Sequence, residues 1–201
     1  MILLRHGQSH FNVAFSRTRV DPGLIDPGLT DLGRRQADSA AEALRGRGLK
    51  RVMTSPYTRS LETAEILASA LGLSIETEPL VRERCWFACD IGSPVEQLTR
   101  RWPHLDFAHL PDRWWPELKE SDAQLMERCG SFRDTMAVSP DWHEVVVVSH
   151  WGFIRGLTGQ SVENCTAIAF DPTAPAPPPP PPPELPPATP LTGHETAPDE
   201  A

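Results

Sequence analysis

Hydrophobic positions along this chain follow two rhythms. Three short stretches are continuously apolar: "MILL" at 1–4, "RVMT" at 51–54 and "EVVVVS" at 144–149. A strand with one face in water alternates, whereas an unbroken run marks a strand covered on both faces, as in a parallel sheet between helices. "LSIETE" at 73–78 and "TAIAF" at 166–170 are weaker strand candidates. Between the runs the spacing turns helical. "TDLGRRQADSAAEALRGRG" gathers Leu32, Ala37, Ala40, Ala41 and Leu44 on one face, with Thr30 as N-cap and Gly46 or Gly48 near its end. "SPYTRSLETAEILASALG" begins with Ser55 as N-cap and Pro56 at the first helical position, and Gly72 closes it. "SDAQLMERCGSFRDTMAV", at 121–138, gives a third helix capped by Ser121 or Asp122. Strands alternating with helices predict an α/β three-layer sandwich, a mostly parallel central sheet with helices on both faces.

Two segments break the alternation. Residues 84–120 hold Trp86, Trp102, Trp114 and Trp115 among prolines and turn residues. They read as an irregular insertion with a short helix at 94–102, either an ordinary packed excursion or a cover over a substrate. From residue 172 onward the chain carries 13 of its 22 prolines and almost no large apolar residue. Such a segment cannot bury enough surface to offset its ordering entropy, so a disordered tail with polyproline II character is expected. The chain thus divides into a domain at 1–171 and a proline-rich tail at 172–201. The tail reads as a passive extension; the alternative is a ligand for a polyproline-binding partner, through the seven consecutive prolines at 177–183.

Charge narrows the function classes. The formal net charge is −8, and Glu184, Glu195, Asp199 and Glu200 of the tail account for half of it. A mildly acidic domain is a poor nucleic-acid binder, though a few local arginines can still hold a small anion. No run approaches the roughly 20 apolar residues that cross a bilayer. "MILL" is too short for a signal peptide, so a cytoplasmic protein without membrane or nucleic-acid partners is expected. Cys85, Cys89, Cys129 and Cys165 fit no zinc spacing and read as reduced, buried or inert thiols.

The residues immediately after the strand candidates are more telling. "MILL" runs into Arg5-His6-Gly7, "RVMT" into Ser55-Pro56-Tyr57-Thr58-Arg59, and "VVVVS" into His150-Trp151-Gly152. Ligands of open α/β sheets sit beyond the carboxyl ends of the strands. Parallel strands would bring two arginines and two histidines to one edge, with Gly7 and Gly152 allowing sharp turns and close approach to a ligand. Arg59 falls in the first turn of its helix, whose dipole favours an anion. Together these outline a phosphate site.

The pieces "LLRHGQSHFN", "DPGLTDLGRRQA", "TSPYTRSLETA", "LVRER" and "VVVVSHWGFIRGL" resemble the histidine phosphatase superfamily, the phosphoglycerate mutase-like proteins. The resemblance covers 1–83 and 144–157 well and the stretch between them poorly. It implies that His6 is the nucleophile forming a phosphohistidine, with Arg5, Arg59 and His150 holding the phosphoryl oxygens. The physical reading agrees: a neutral imidazole is available near neutral pH, and an arginine fork can donate two hydrogen bonds to one phosphate. Such a cage works by positioning and charge, so no metal or other cofactor is required. The resemblance makes Glu83 the proton donor to the leaving group and Asn12 a phosphate contact. Arg84 is a further substrate-binding candidate. Gln8 and Ser9 would share the loop of Asn12. His10, His104, His109 and His143 have no motif partner and read as structural or exposed, and Trp151 and Phe153 as packing against the sheet.

The implied activity is metal-independent hydrolysis of a phosphomonoester of a small metabolite. "CWFACDIGSPVEQL" stands where the phosphoglycerate mutases carry a glycine-rich stretch, which disfavours the alternative of a mutase. A non-catalytic interaction protein acting through its proline tail is the remaining alternative. The chain has no GxSxG elbow, no GxxxxGK[ST] loop, no HExxH site and no cysteine with an arginine six residues on.

Overall fold

The computed structural model describes residues 1–117, 119–184 and 186. Strands β1 (Ile2–Arg5), β2 (Arg51–Thr54), β3 (Ser74–Thr77), β4 (Val145–Ser149) and β5 (Ala167–Ala169) form one sheet in the order β3-β2-β4-β1-β5. The first four are parallel and β5 is an antiparallel edge. The valine-rich β4 sits at the centre, buried throughout.

Because side chains alternate along a strand, each strand feeds both layers. Leu3, Met53, Val145 and Val147 point to one face and pack with Leu125, Phe132 and Phe153. These last belong to helices α5 (Asp122–Ala137) and α6 (Trp151–Thr158). Leu4, Val52, Val146 and Val148 point to the other face, against Ala37, Ala41, Ala64 and Leu67. Those come from α2 (Asp31–Leu44) and α3 (Thr58–Leu71). The chain is the expected three-layer α/β sandwich. The other α-helices among the described residues are α1 (His10–Thr18) and the short α4 (Val95–Arg101), which fills the place expected at 94–102.

Three local features depart from the sequence reading. The loop expected around Gln8 and Ser9 opens a helix instead: Ser9 and Asn12 make a reciprocal capping box at the start of α1. Residues 151–158 form α6 despite two glycines that disfavour a helix. Gly156 lies against Cys129 Sγ and Leu125, so the lack of a side chain is what lets α5 and α6 approach. Finally, α3 starts at Thr58, and Ser55 does not cap it. The Asp26 carboxylate does, accepting from the Thr58 amide at 2.9 Å and the Thr58 hydroxyl at 2.8 Å.

The insertion packs as a satellite core. Leu98, Trp102, Phe107, Leu110, Trp114 and Trp115 close over Tyr57 and Leu61 of the α3 region, with the Trp114 ring edge-on to Tyr57 at 4.7 Å. Residues 172–184 carry neither helix nor strand, as their composition dictates, yet they run along the domain. Arg133 donates to the Ala174 carbonyl, Arg155 to that of Pro181, and the Trp86 indole to that of Pro186 at 3.0 Å. The rest of the predicted tail, 187–201, lies outside the described residues. Among the described residues no helix is long and apolar enough to cross a membrane.

Candidate active site

Strand register assembles the site. Arg5 pairs with Ser149 and Thr54 with Val148, so the residues just past each strand emerge side by side. The His6 amide donates to the Ser149 carbonyl at 2.9 Å. The His6–Gly7 peptide is pinned on every side. Asn164 Nδ2 donates to the His6 carbonyl at 2.9 Å, and the Gly7 amide donates to Thr63 Oγ1 at 3.1 Å. Gly7 packs directly on the backbone of Gly33, where a side chain would collide, which ties the β1 loop to the start of α2.

That pinning decides the state of the His6 ring. Its Nδ1 lies 2.7 Å from the Gly7 carbonyl, which can only accept, so Nδ1 carries the proton and Nε2 keeps a bare lone pair. His6 is 3 % exposed. Burial, then the positive charges of Arg59 and Arg5, hold its pKa well below the ordinary histidine value, so the ring is neutral at physiological pH.

His150 lies behind it, the ring centroids 5.1 Å apart and tilted by 57°. It is wholly buried, with Nε2 between Ser55 Oγ at 2.6 Å and Ser60 Oγ at 3.1 Å. Its Nδ1 has no partner among the described residues. Burial, followed by Arg59 and His6, keeps this ring neutral too. Leaving a buried polar atom unpaired costs about 1–3 kcal/mol, so such an atom marks a place that folding alone does not explain.

Arg59 spans from α3 to the insertion. It lies over the Tyr57 ring at 4.4 Å, donates to the Cys89 carbonyl at 2.7 Å and pairs with Asp90 at 3.1 Å. Arg5 donates from one terminal nitrogen to the Val162 carbonyl at 2.8 Å, while its Nε has no partner among the described residues. Glu83 follows the turn after β3, its Oε1 receiving the amides of Gly152 and Arg84, each at 2.8 Å. A side chain at position 152 would strike that oxygen, so Gly152 is the space the carboxyl occupies. Two amide donors favour the charged carboxylate, but burial and then the charge of Asp90 prevail, and the Glu83 pKa is pushed up to about 7. Neither Gly7 nor Gly152 has a positive φ, so both serve close packing against the chain itself rather than a left-handed turn.

These groups open into a cavity of ≈ 680 Å³. Of the seven residues singled out from the sequence, Arg5, His6, Asn12, Arg59, Glu83 and Arg84 line it, and His150 lies behind the wall. Asn12 Oδ1 is committed to the Ser9 amide at 3.0 Å and to Asn164 at 3.2 Å. Arg84 pairs with Asp122 at 2.7 Å and donates from Nε to the Glu120 carbonyl at 3.1 Å. Trp151, expected to pack against the sheet, stands at the cavity wall with its indole on Ser161, whereas Phe153 is fully buried in the core. His109 is held at 3.0 Å from the Thr77 carbonyl, and His10, His104 and His143 are exposed.

Sequence reasoning missed Asp90, Asn164 and the phenylalanine cluster of Phe11, Phe15 and Phe87 on the cavity wall. None lies at a strand end, and Asp90 is hidden in the irregular insertion. The capping-box spacing from Ser9 to Asn12 was the one available signal for α1.

A parallel sheet whose strand ends present a bare imidazole nitrogen, two arginines and a protonatable carboxyl has the equipment of a phosphoryl-transfer protein. The chain matches the histidine phosphatase superfamily (branch 1) over residues 1–173 and belongs to it. It is 31% identical over 153 residues to the "Probable phosphoglycerate mutase GpmB" of Yersinia enterocolitica, covering 75% of this chain and 68% of that protein. It is 32% identical over 173 residues to a glucosyl-3-phosphoglycerate phosphatase of Mycolicibacterium vanbaalenii, covering 79% and 72%. The structure of a mycobacterial glucosyl-3-phosphoglycerate phosphatase in complex with VO3 superposes with a TM-score of 0.61 at 25% identity, covering 83% of this chain and 88% of that one.

Proposed function

We propose that this chain is a phosphomonoester hydrolase that works through a phosphohistidine on a small phosphorylated metabolite. The observation that carries the reading is the His6 ring: Nδ1–H is fixed on the Gly7 carbonyl and Nε2 is left free beside two arginines. In the first step Nε2 attacks phosphorus and the bond from phosphorus to the ester oxygen breaks. Arg5 and Arg59 offset charge on the non-bridging oxygens, and Glu83 gives its proton to the departing alcohol. In the second step Glu83, now a carboxylate, takes a proton from water. The hydroxide so formed displaces Nε2, releasing orthophosphate and returning both groups to their starting states. Arg59, clamped by Asp90 and Cys89, is already oriented, so little reorganisation is needed on binding. His150 lies behind the nucleophile, its ring centroid 5.1 Å away, and its Nδ1 has no partner among the described residues.

The likeness to a GpmB protein supports a second reading, in which the phosphohistidine passes its group to an alcohol rather than to water. Hydrolysis of p-nitrophenyl phosphate with excess chelator, in wild type and His6→Ala, tests the first. Turnover that survives chelation and vanishes in the variant is the expected result. Turnover that persists in His6→Ala would sink the mechanism, and phosphorylated acceptor appearing in place of orthophosphate would favour the mutase.

A further inference from the structure

The family match ends at residue 173, yet the chain beyond it returns to the site. A polyproline II helix has no internal hydrogen bonds, so its carbonyls are free to accept. Here the carbonyls of Ala174, Pro181 and Pro186 accept from Arg133, Arg155 and the Trp86 indole in turn. Indole donors and aromatic faces set against proline are the means by which proline-rich peptides are held elsewhere, and this chain supplies donor and peptide together. Arg155 is itself laid over the Trp151 ring at 5.4 Å, and Arg84 over Trp86 at 4.7 Å. Seven prolines span roughly 22 Å and are stiff before they dock, so little entropy is lost on docking.

The run bridges a cleft of ≈ 370 Å³ whose walls include Arg84, Trp151, Gly152 and Arg155. The same four residues line the candidate active-site cavity, and Pro183 and Glu184 line it with them. We propose that residues 177–184 are a strap that forms one wall of the cavity mouth and selects substrates by size. The proposal rests on the hydrolase reading of that site. With the strap docked the mouth takes compact phosphomonoesters; without it the cleft and the cavity become one trough open to bulky ones.

The test uses non-hydrolysable phosphonates, so that binding is read apart from chemistry. The full chain is compared with one ending at Ala176, which keeps the Ala174 contact, and with a full-length chain whose residues 177–183 are replaced by glycine and serine. Methylphosphonate should bind all three with Kd values within about twofold. A peptide bearing phosphonomethyl-phenylalanine should bind the two altered chains roughly tenfold more tightly, because a steric wall has been removed. One tryptophan indole N–H resonance, assigned by its absence in Trp86→Phe, should move in the chain ending at Ala176, which lacks the Pro186 carbonyl. An unmoved resonance means that the strap is not docked, and an unchanged Kd for the bulky probe means that it is no wall; either overturns the proposal. Hydrolysis of p-nitrophenyl phosphate, run alongside, judges the hydrolase reading separately: no turnover by any of the three chains sinks that reading and leaves the phosphonate result to decide the strap.

Discussion

Glu83 stands between two buried clusters of charge that are built on opposite plans. On its backbone side lies Arg128, every nitrogen of which is occupied. Nε and one terminal nitrogen fork onto Glu120 at 2.8 and 2.6 Å, and the other terminal nitrogen donates to the carbonyls of Leu80 and Arg82. On its carboxyl side lies the strand-end cluster, where Arg5 Nε and His150 Nδ1 have no partner among the described residues. The first cluster joins α5 to the loop after β3; Arg128 is fully paired within it, and Arg82, which pairs with Glu120 at 3.0 Å, keeps a spare Nε. The second retains polar atoms that no described residue satisfies. A buried arginine, or even one spare donor, is therefore not informative by itself, since Arg82 keeps one outside the cavity; what sets the strand-end cluster apart is that Arg5 and Arg59 line the same cavity as His6.

Substitutions in the two clusters should fail in different ways. His6→Ala should cost roughly 10⁴-fold in turnover, as loss of a nucleophile does, with little change in the unfolding midpoint. An equal loss of stability would place His6 with the structural cluster. Glu120→Ala should do the reverse. Leaving Arg128 buried and unpaired costs about 3–5 kcal/mol, to be read by urea unfolding, while turnover per folded molecule stays within about twofold. Loss of turnover in well-folded protein would show that the clamp also shapes the site.

Glu83→Gln probes the boundary between the clusters, because this residue belongs to both. Turnover of alkyl phosphates should fall about 10²-fold for want of a proton donor. The loss should be much smaller for p-nitrophenyl phosphate, whose leaving group departs without a proton. In wild type, Glu83 is protonated below about pH 7 and gives up its proton as pH rises through about 7. Activity on alkyl esters should therefore decline on the alkaline side of about 7, and that limb should vanish in Glu83→Gln. Because burial and two arginines depress the His6 pKa, the acid limb should fall well below the ordinary histidine range. A pH profile of kcat/KM, flat across neutrality, would contradict the assignment of Glu83. The smallest effect belongs to neither cluster. Ser121→Ala removes the capping box of α5 and should cost about 1 kcal/mol with turnover unchanged.

Much of the site was legible because it is local to strand ends. Arg5, His6, Ser55, Arg59 and His150 each lie at or just past a continuous apolar run, and a parallel sheet places such residues together whatever the loops do. Thr63 shows the limit. The "SPYTRSLETA" stretch marks it, but only the fold reveals that its hydroxyl receives the Gly7 amide. Asp90 and Asn164 were illegible, since their partners, Arg59 and His6, lie 31 and 158 residues away. The misplacement of Ser55 had the same origin. As a local signal it reads as a helix cap, but tertiary contact gives its hydroxyl to His150 and hands the capping to Asp26.

Local pattern alone set the layers and the edge of the sheet that carries the chemistry, because hydrophobic period and strand-end polarity are properties of neighbouring residues. Contacts made across the fold chose which ring nitrogen of His6 is bare, held a proton on Glu83 near neutral pH, and laid the proline run where it lies. Each of these depends on desolvation and on donors brought from distant parts of the chain, quantities that no local pattern contains.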